Sequence, residues 1–99
     1  MVMLPLILEF EWDESKAESN LKKHRVSFLE AAETFYDPLG VHIVDRKHSK
    51  DEPRSYWIGK SRKGRLLTTW FTMRGTKVRL IGAAALRKYR RLYEASKAQ

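Results

Sequence analysis

Residues 54–82, RSYWIGKSRKGRLLTTWFTMRGTKVRLIG, constrain the fold more than any other stretch of the chain. Trp57, Ile58, Leu66, Leu67, Trp70, Phe71, Val78, Leu80 and Ile81 are the β-branched, aromatic and long aliphatic residues that fit a pleated surface. Segments 60–65 and 74–77 interrupt them, each with one Gly (Gly64, Gly75) able to take a positive φ. The stretch predicts three strands joined by two tight turns. Arg54, Lys60, Arg62, Lys63, Arg65, Arg74, Lys77 and Arg79 surround the apolar positions, with no Asp or Glu among them. A sheet with a wholly cationic rim suits a polyanion.

Charge is segregated along the whole chain. Residues 1–45 carry a net −5 and residues 46–99 a net +13, giving +8 overall. That asymmetry favours a nucleic-acid contact made by the second half. The plainer alternatives are solubility, or pairing of an acidic layer with a basic one. Ninety-nine residues bound the answer to one domain with one core. No Cys is present, so disulfides, thiol nucleophiles and thiolate metal sites are excluded, which suits a reducing cytoplasm. The apolar opening MVMLPLIL is too short to span a bilayer and lacks the flanks of a signal peptide. It reads as an extended arm leading into the first strand, and no membrane partner is expected.

Ahead of the three strands, residues 7–12 alternate so that Leu8, Phe10 and Trp12 share one face, predicting a strand. Asp13 is an N-cap, and Ala17, Leu21 and His24 are spaced to line one face of the helix it starts. Lys22, Lys23, His24 and Arg25 end that helix, where the macrodipole favours cations. Ser27-Phe28-Leu29-Glu30 is a capping-box pattern for a second helix, with Val26 placed to staple onto Ala31. Phe28, Ala31, Ala32 and Phe35 form its apolar face, and Asp37-Pro38 stops it. Residues 41–44 predict a short strand, followed by a polar loop over 45–53. After the three strands, residues 83–86 lead into a basic helix over 87–95, with Leu86, Tyr89 and Tyr93 on one face. Strands gathered after a helical pair argue for an α+β fold with a mainly antiparallel sheet.

The familiar catalytic and nucleotide-binding motifs are missing, and His24, His42 and His48 lack metal-ligand spacing. Lys, Arg, His and Tyr remain, and that set suffices to cleave RNA. The 2′-OH of RNA is its own nucleophile. A protein need only align it, stabilise the phosphorane and protonate the leaving 5′-oxygen. Composition does not separate such an enzyme from a passive nucleic-acid binder, because both grip phosphate.

Phe10-Glu11-Trp12-Asp13-Glu14-Ser15-Lys16, Asn20-Leu21-Lys22-Lys23-His24, Val26-Ser27-Phe28-Leu29-Glu30-Ala31-Ala32, Phe35 and Asp37-Pro38 closely resemble the BrnT family of type II toxins. That family begins like F-E-W-D-x-x-K-x-x-x-N-x-x-K-H-G-V-x-F-x-E-A. The resemblance continues at His48-Ser49, Glu52, Arg54, Ile58-Gly59, Gly64-Arg65-Leu66, Phe71-Thr72, Arg74-Gly75, Arg79 and Ile81, spanning essentially residues 10–94. It implies a RelE-like ribonuclease: an antiparallel sheet with an N-terminal helical pair and a C-terminal basic helix, needing no cofactor. It also implies a BrnA-like antitoxin with a ribbon-helix-helix domain, through which alone operator DNA is touched. The family's recurring polar positions fall on Lys23, His24, Arg54, Arg74, Arg79 and Tyr93. On this reading Lys23 or His24 transfers protons, Arg74 and Arg79 clamp phosphate, and Tyr93 stacks on a base or orients the clamp. Arg54, Lys60, Arg62, Arg65, Arg87, Arg90 and Arg91 are the expected RNA grip of the sheet and last helix.

Two departures from the pattern bear on activity. The family's His-Gly-Val is His24-Arg25-Val26 here, so a left-handed helix end would place a side chain where Gly is strain-free. After the last strand, the family's Ser and Arg positions are Gly82 and Ala84. Loss of a clamping Arg there makes a catalytically impaired member, which binds its antitoxin and modulates operon repression without cutting RNA, the second reading.

Overall fold

The computed structural model describes residues 8–47 and 52–97. The first seven residues, His48, Ser49 and the middle of the 45–53 loop lie outside them. Five strands and three helices follow in order: β1 Glu9–Glu11, α1 Glu14–His24, α2 Phe28–Glu33, β2 Val41–Asp45, β3 Arg54–Lys60, β4 Leu66–Arg74, β5 Lys77–Ala84 and α3 Arg90–Lys97. Short 3-10 helices extend α2 (Thr34–Tyr36) and lead into α3 (Arg87–Tyr89). The sheet order is β1-β5-β4-β3-β2, antiparallel throughout except that β1 joins β5 in parallel. This is the expected α+β architecture. Gly64 and Gly75 take φ +80° and +61° in the two turns, as anticipated.

The helix ends follow the local chemistry. Asp13 accepts from the Ser15 and Lys16 backbone N–H groups and starts α1. Arg25 closes α1 in the left-handed region (φ 59°, ψ 32°), its N–H donating to the Leu21 carbonyl. The chain keeps the turn that a Gly would adopt without strain, at a cost of about 1 kcal/mol. At α2 the capping box is half formed. Ser27 accepts from the Glu30 N–H, but the Glu30 carboxylate turns to Arg65 and Ser61 instead of reaching back.

Val26, Phe28 and Ala31 pack against Leu67, Phe71, Val78, Leu80 and Ala83 of the sheet, forming the core beneath α1 and α2. Phe10 meets Phe35 edge-on at 5.3 Å and Trp12 meets Phe28 at 5.9 Å, so the alternation of the first strand holds. The buried face of α1 differs from the one its apolar spacing predicts. Leu21 is 49% exposed, and the buried residue of that helix is Asn20. The reason is that α1 meets the edge of β5, where β1 has already ended and backbone groups lack a strand partner. The Asn20 Nδ2 donates to the Ala83 and Val26 carbonyls at 2.9 Å, and its Oδ1 accepts from the Ala83 N–H at 3.0 Å. One amide thus replaces a strand at that edge.

Glu30 fastens the other end of the sheet to α2. It is buried, accepts from Ser61 at 2.8 Å and is forked by Arg65, which also donates to the Arg25 carbonyl. The Arg65 hydrogen bond holds the Glu30 carboxyl below its ordinary value of 4.5, against the opposing effect of burial. The folded chain therefore holds this proton less readily than the unfolded one. The stability Glu30 supplies is complete above about pH 4.5 and is lost as pH falls through the depressed folded value. Thermal melts between pH 7 and pH 3 should show this acid limb, and Glu30→Gln should flatten it. An equally steep limb in the variant would assign the acid sensitivity to other carboxylates.

Candidate nucleic-acid face

Strand alternation divides the sheet into two faces. On β4, Leu67, Thr69 and Phe71 face α1 and α2, so Thr68, Trp70, Thr72 and Arg74 face away. On β3, Arg54, Tyr56 and Ile58 point the same way as that second set. β5 requires one irregularity to keep both faces consistent. Trp70 pairs with Gly82 and Phe71 with Leu80, leaving Ile81 as the extra residue of a bulge. The bulge returns Ala83 to the core beside Val78 and Leu80 while placing Arg79 and Gly82 together on the second face.

A row of polar side chains then crosses all five strands. Asp45 stands opposite Arg54, Arg54 opposite Thr72, Thr72 opposite Arg79, and Arg79 opposite Glu11. Arg79 donates to Glu11 at 2.7 Å, with both side chains partly exposed. Thr72 is buried and its hydroxyl donates to the Pro53 carbonyl, which makes it a spacer between two cations. With strands about 4.8 Å apart, the two arginines sit about 10 Å apart at Cα. Two guanidinium side chains on one face of the sheet present the planar N–H forks that suit a phosphate.

One step along the strands lies an aromatic row. Tyr56 pairs with Trp70, and Trp70 with Gly82. A Cβ on Gly82 would stand 2.3 Å from the indole, so only Gly lets Trp70 lie against the β5 backbone. His24, at the end of α1, meets the Trp70 ring edge-on at 6.1 Å. Tyr89 reaches over from the 3-10 helix to lie 5.4 Å from Tyr56.

The anticipated site residues divide into groups. Arg54 and Arg79 share the polar row, Arg74 stands beyond it on the same face, paired with Glu52, and His24 reaches the adjoining aromatics. Lys23 is exposed one residue before His24. Arg65 is committed to Glu30, while the backbone N–H groups of Arg62 and Lys60 are held by Glu33 and Asp37. Arg87 and Arg90 line a small cavity of about 130 Å³ with Leu66, Ala85 and Leu86, and Arg91 is exposed. Tyr93 is 2% exposed, and its hydroxyl donates to Asp37 at 2.7 Å. Burial, then the Asp37 carboxylate, pushes its pKa up to about 12, so Tyr93 is a neutral bolt with no open ring face. Ala84 proves to be the last residue of β5, not part of a linker, and is buried beside Thr68. Sequence reasoning passed over Tyr56, Trp70 and Tyr89 as a group. Tyr56 and Trp70 carry a legible strand spacing, whereas Tyr89 lies on the 3-10 helix and joins them only through the tertiary fold. Among the described residues no three His, Cys, Asp or Glu side chains gather to hold a metal ion.

The family pattern described as "Ribonuclease toxin, BrnT, of type II toxin-antitoxin system" matches residues 12–89. The chain belongs to the BrnT family. The crystal structure of the Brucella abortus ribonuclease toxin BrnT aligns with a TM-score of 0.59 at 19% identity, covering 81% of this chain and 97% of that one. At that identity the likeness speaks for the BrnT fold alone. A search of curated proteins found no match. As a BrnT-family toxin of a type II system, the chain implies a partner antitoxin. Among its described residues no helix is long and apolar enough to cross a membrane.

Proposed function

We propose that this BrnT toxin cuts RNA without a metal ion, through attack of the RNA's own 2′-oxygen, and so inhibits translation in the cytoplasm. The single observation that carries the reading is the transverse row Asp45–Arg54–Thr72–Arg79–Glu11. Glu11 holds the Arg79 guanidinium at one end of the row, and a guanidinium has five N–H donors, more than one carboxylate uses. The role of the two arginines is to draw in the scissile phosphate and stabilise the charge that grows on it. His24 or Lys23, on the adjoining helix end, serves proton transfer. In the balanced step the 2′-oxygen loses its proton and bonds to phosphorus. The bond from phosphorus to the 5′-oxygen breaks, and that oxygen takes up a proton, leaving a 2′,3′-cyclic phosphate.

The proposed partner is a BrnA-like ribbon-helix-helix antitoxin, with operator DNA reached only through it. The test is incubation of antitoxin-free protein with a defined RNA in EDTA, followed by analysis of the ends. Fragments ending in 2′,3′-cyclic phosphate, blocked by a single 2′-deoxy residue at the cut, are the expected result. Intact RNA from folded protein that still binds its antitoxin would overturn this reading. It would favour the non-cleaving alternative, for which the buried Ala84 in the place of the family's Arg is the supporting observation.

A further inference from the structure

Beside the arginine row is a pocket of about 210 Å³ lined by Arg54, Tyr56, Trp70, Leu86, Lys88 and Tyr89. We propose that it receives one unstacked nucleobase of the RNA, packed against the rings of Tyr56, Trp70 and Tyr89. This inference rests on the ribonuclease reading and adds to it a base-binding subsite.

Three features carry it. First, the walls are ring faces and edges: Tyr56 meets Trp70 at 6.5 Å and 82°, and Tyr89 at 5.4 Å and 40°. A site that grips only phosphate has no need of three aromatics, whereas single-stranded RNA is read by stacking splayed bases on such rings. Second, two of the rings are held by the fold itself. Gly82 lets Trp70 lie against the strand backbone, and Tyr56 hydrogen-bonds Asp45 through its hydroxyl. Third, the pocket lies in register with the clamp. Tyr56 is two residues from Arg54, and Trp70 two from Thr72, on the same face. That is about 7 Å along the strands, a span that suits a base attached to a phosphate held at the arginine row.

The lining also limits what the pocket reads. It contains no Asn, Gln, Asp or Glu, and its polar groups include two cations, Arg54 and Lys88, with the Lys88 Nζ 5.1 Å from the centre of the Tyr89 ring. No side-chain amide or carboxylate in the lining pairs with a Watson–Crick edge. Selectivity then follows stacking area, which favours a purine over a pyrimidine, and the cations favour bases rich in acceptors.

The test uses short 2′-O-methyl strands, which lack the nucleophile and stay intact, with affinity read by fluorescence anisotropy. An adenine strand should bind about tenfold or more tightly than an abasic strand of the same length, with uracil between them. Tyr89→Leu should bring the adenine strand down to the abasic level, and Tyr89→Phe should keep the gap. Equal binding of adenine and abasic strands by the unaltered protein overturns the pocket, and so does a gap that survives Tyr89→Leu in folded protein. Cleavage of ordinary RNA, followed in parallel, separates the two claims. Cleavage without any base gap removes the pocket alone. A base gap without cleavage removes the nuclease reading alone and leaves a base-binding groove.

Discussion

Replacing Asn20 by Leu should cost about 3–5 kcal/mol of folding stability, more than a substitution on an 11-residue surface helix would ordinarily suggest. The side chain is 7% exposed and satisfies three backbone groups, two of them on Ala83 at a bare strand edge. Leu fills similar space but leaves the Ala83 N–H and both carbonyls buried without partners, each worth about 1–3 kcal/mol. Asn20→Asp should be at least as damaging, since a carboxylate facing two carbonyls repels where the amide donated. Urea unfolding would read the effect as a lower midpoint at unchanged slope. A loss under 1 kcal/mol for both variants would mean that water or β5 itself repairs the edge.

Arg79→Ala should lower the rate of RNA cleavage about 100-fold to 1,000-fold, the size of effect seen when one donor to a developing oxyanion is removed. Arg79→Lys should recover only part of it, because an ammonium lacks the planar fork. Folding should lose less than activity, since the Arg79–Glu11 pair is only partly buried, at 24% and 31% side-chain exposure. Cleavage rates alongside thermal melts distinguish the two quantities. A loss under tenfold would move the phosphate site to other cations, those of the last helix being the next candidates.

Much of the fold was legible because its signals are local. The three strands and their glycine turns, the Asp13 cap, the Ser27 cap and the left-handed Arg25 all follow from residues within a few positions of one another. What the sequence hid depends on distant pairing. The exposed face of α1 was misjudged because hydrophobic spacing favours Leu21, whereas the partner of that helix is a strand edge that demands an amide. The end of β5 was set too early, since the bulge at Ile81 breaks the alternation that would have carried the strand to Ala84. Arginines were evident as a basic set. Only the register of five strands separates Arg54 and Arg79, which share a row, from Arg65, which is spent on Glu30. The helix pattern puts Tyr93 on the apolar face of the last helix, but it does not reveal that Asp37 lies across from its hydroxyl.

The attachment of both β1 and α1 to β5 governs when this toxin can form. The beginning of the chain has no edge to join until its last strand has been synthesised. Such contacts between distant segments are slow to form and late in order. Arg79 and its partner Glu11, 68 positions apart, can pair only once the sequence of the whole sheet is available, so the arginine row depends on the longest-range contact of the sheet.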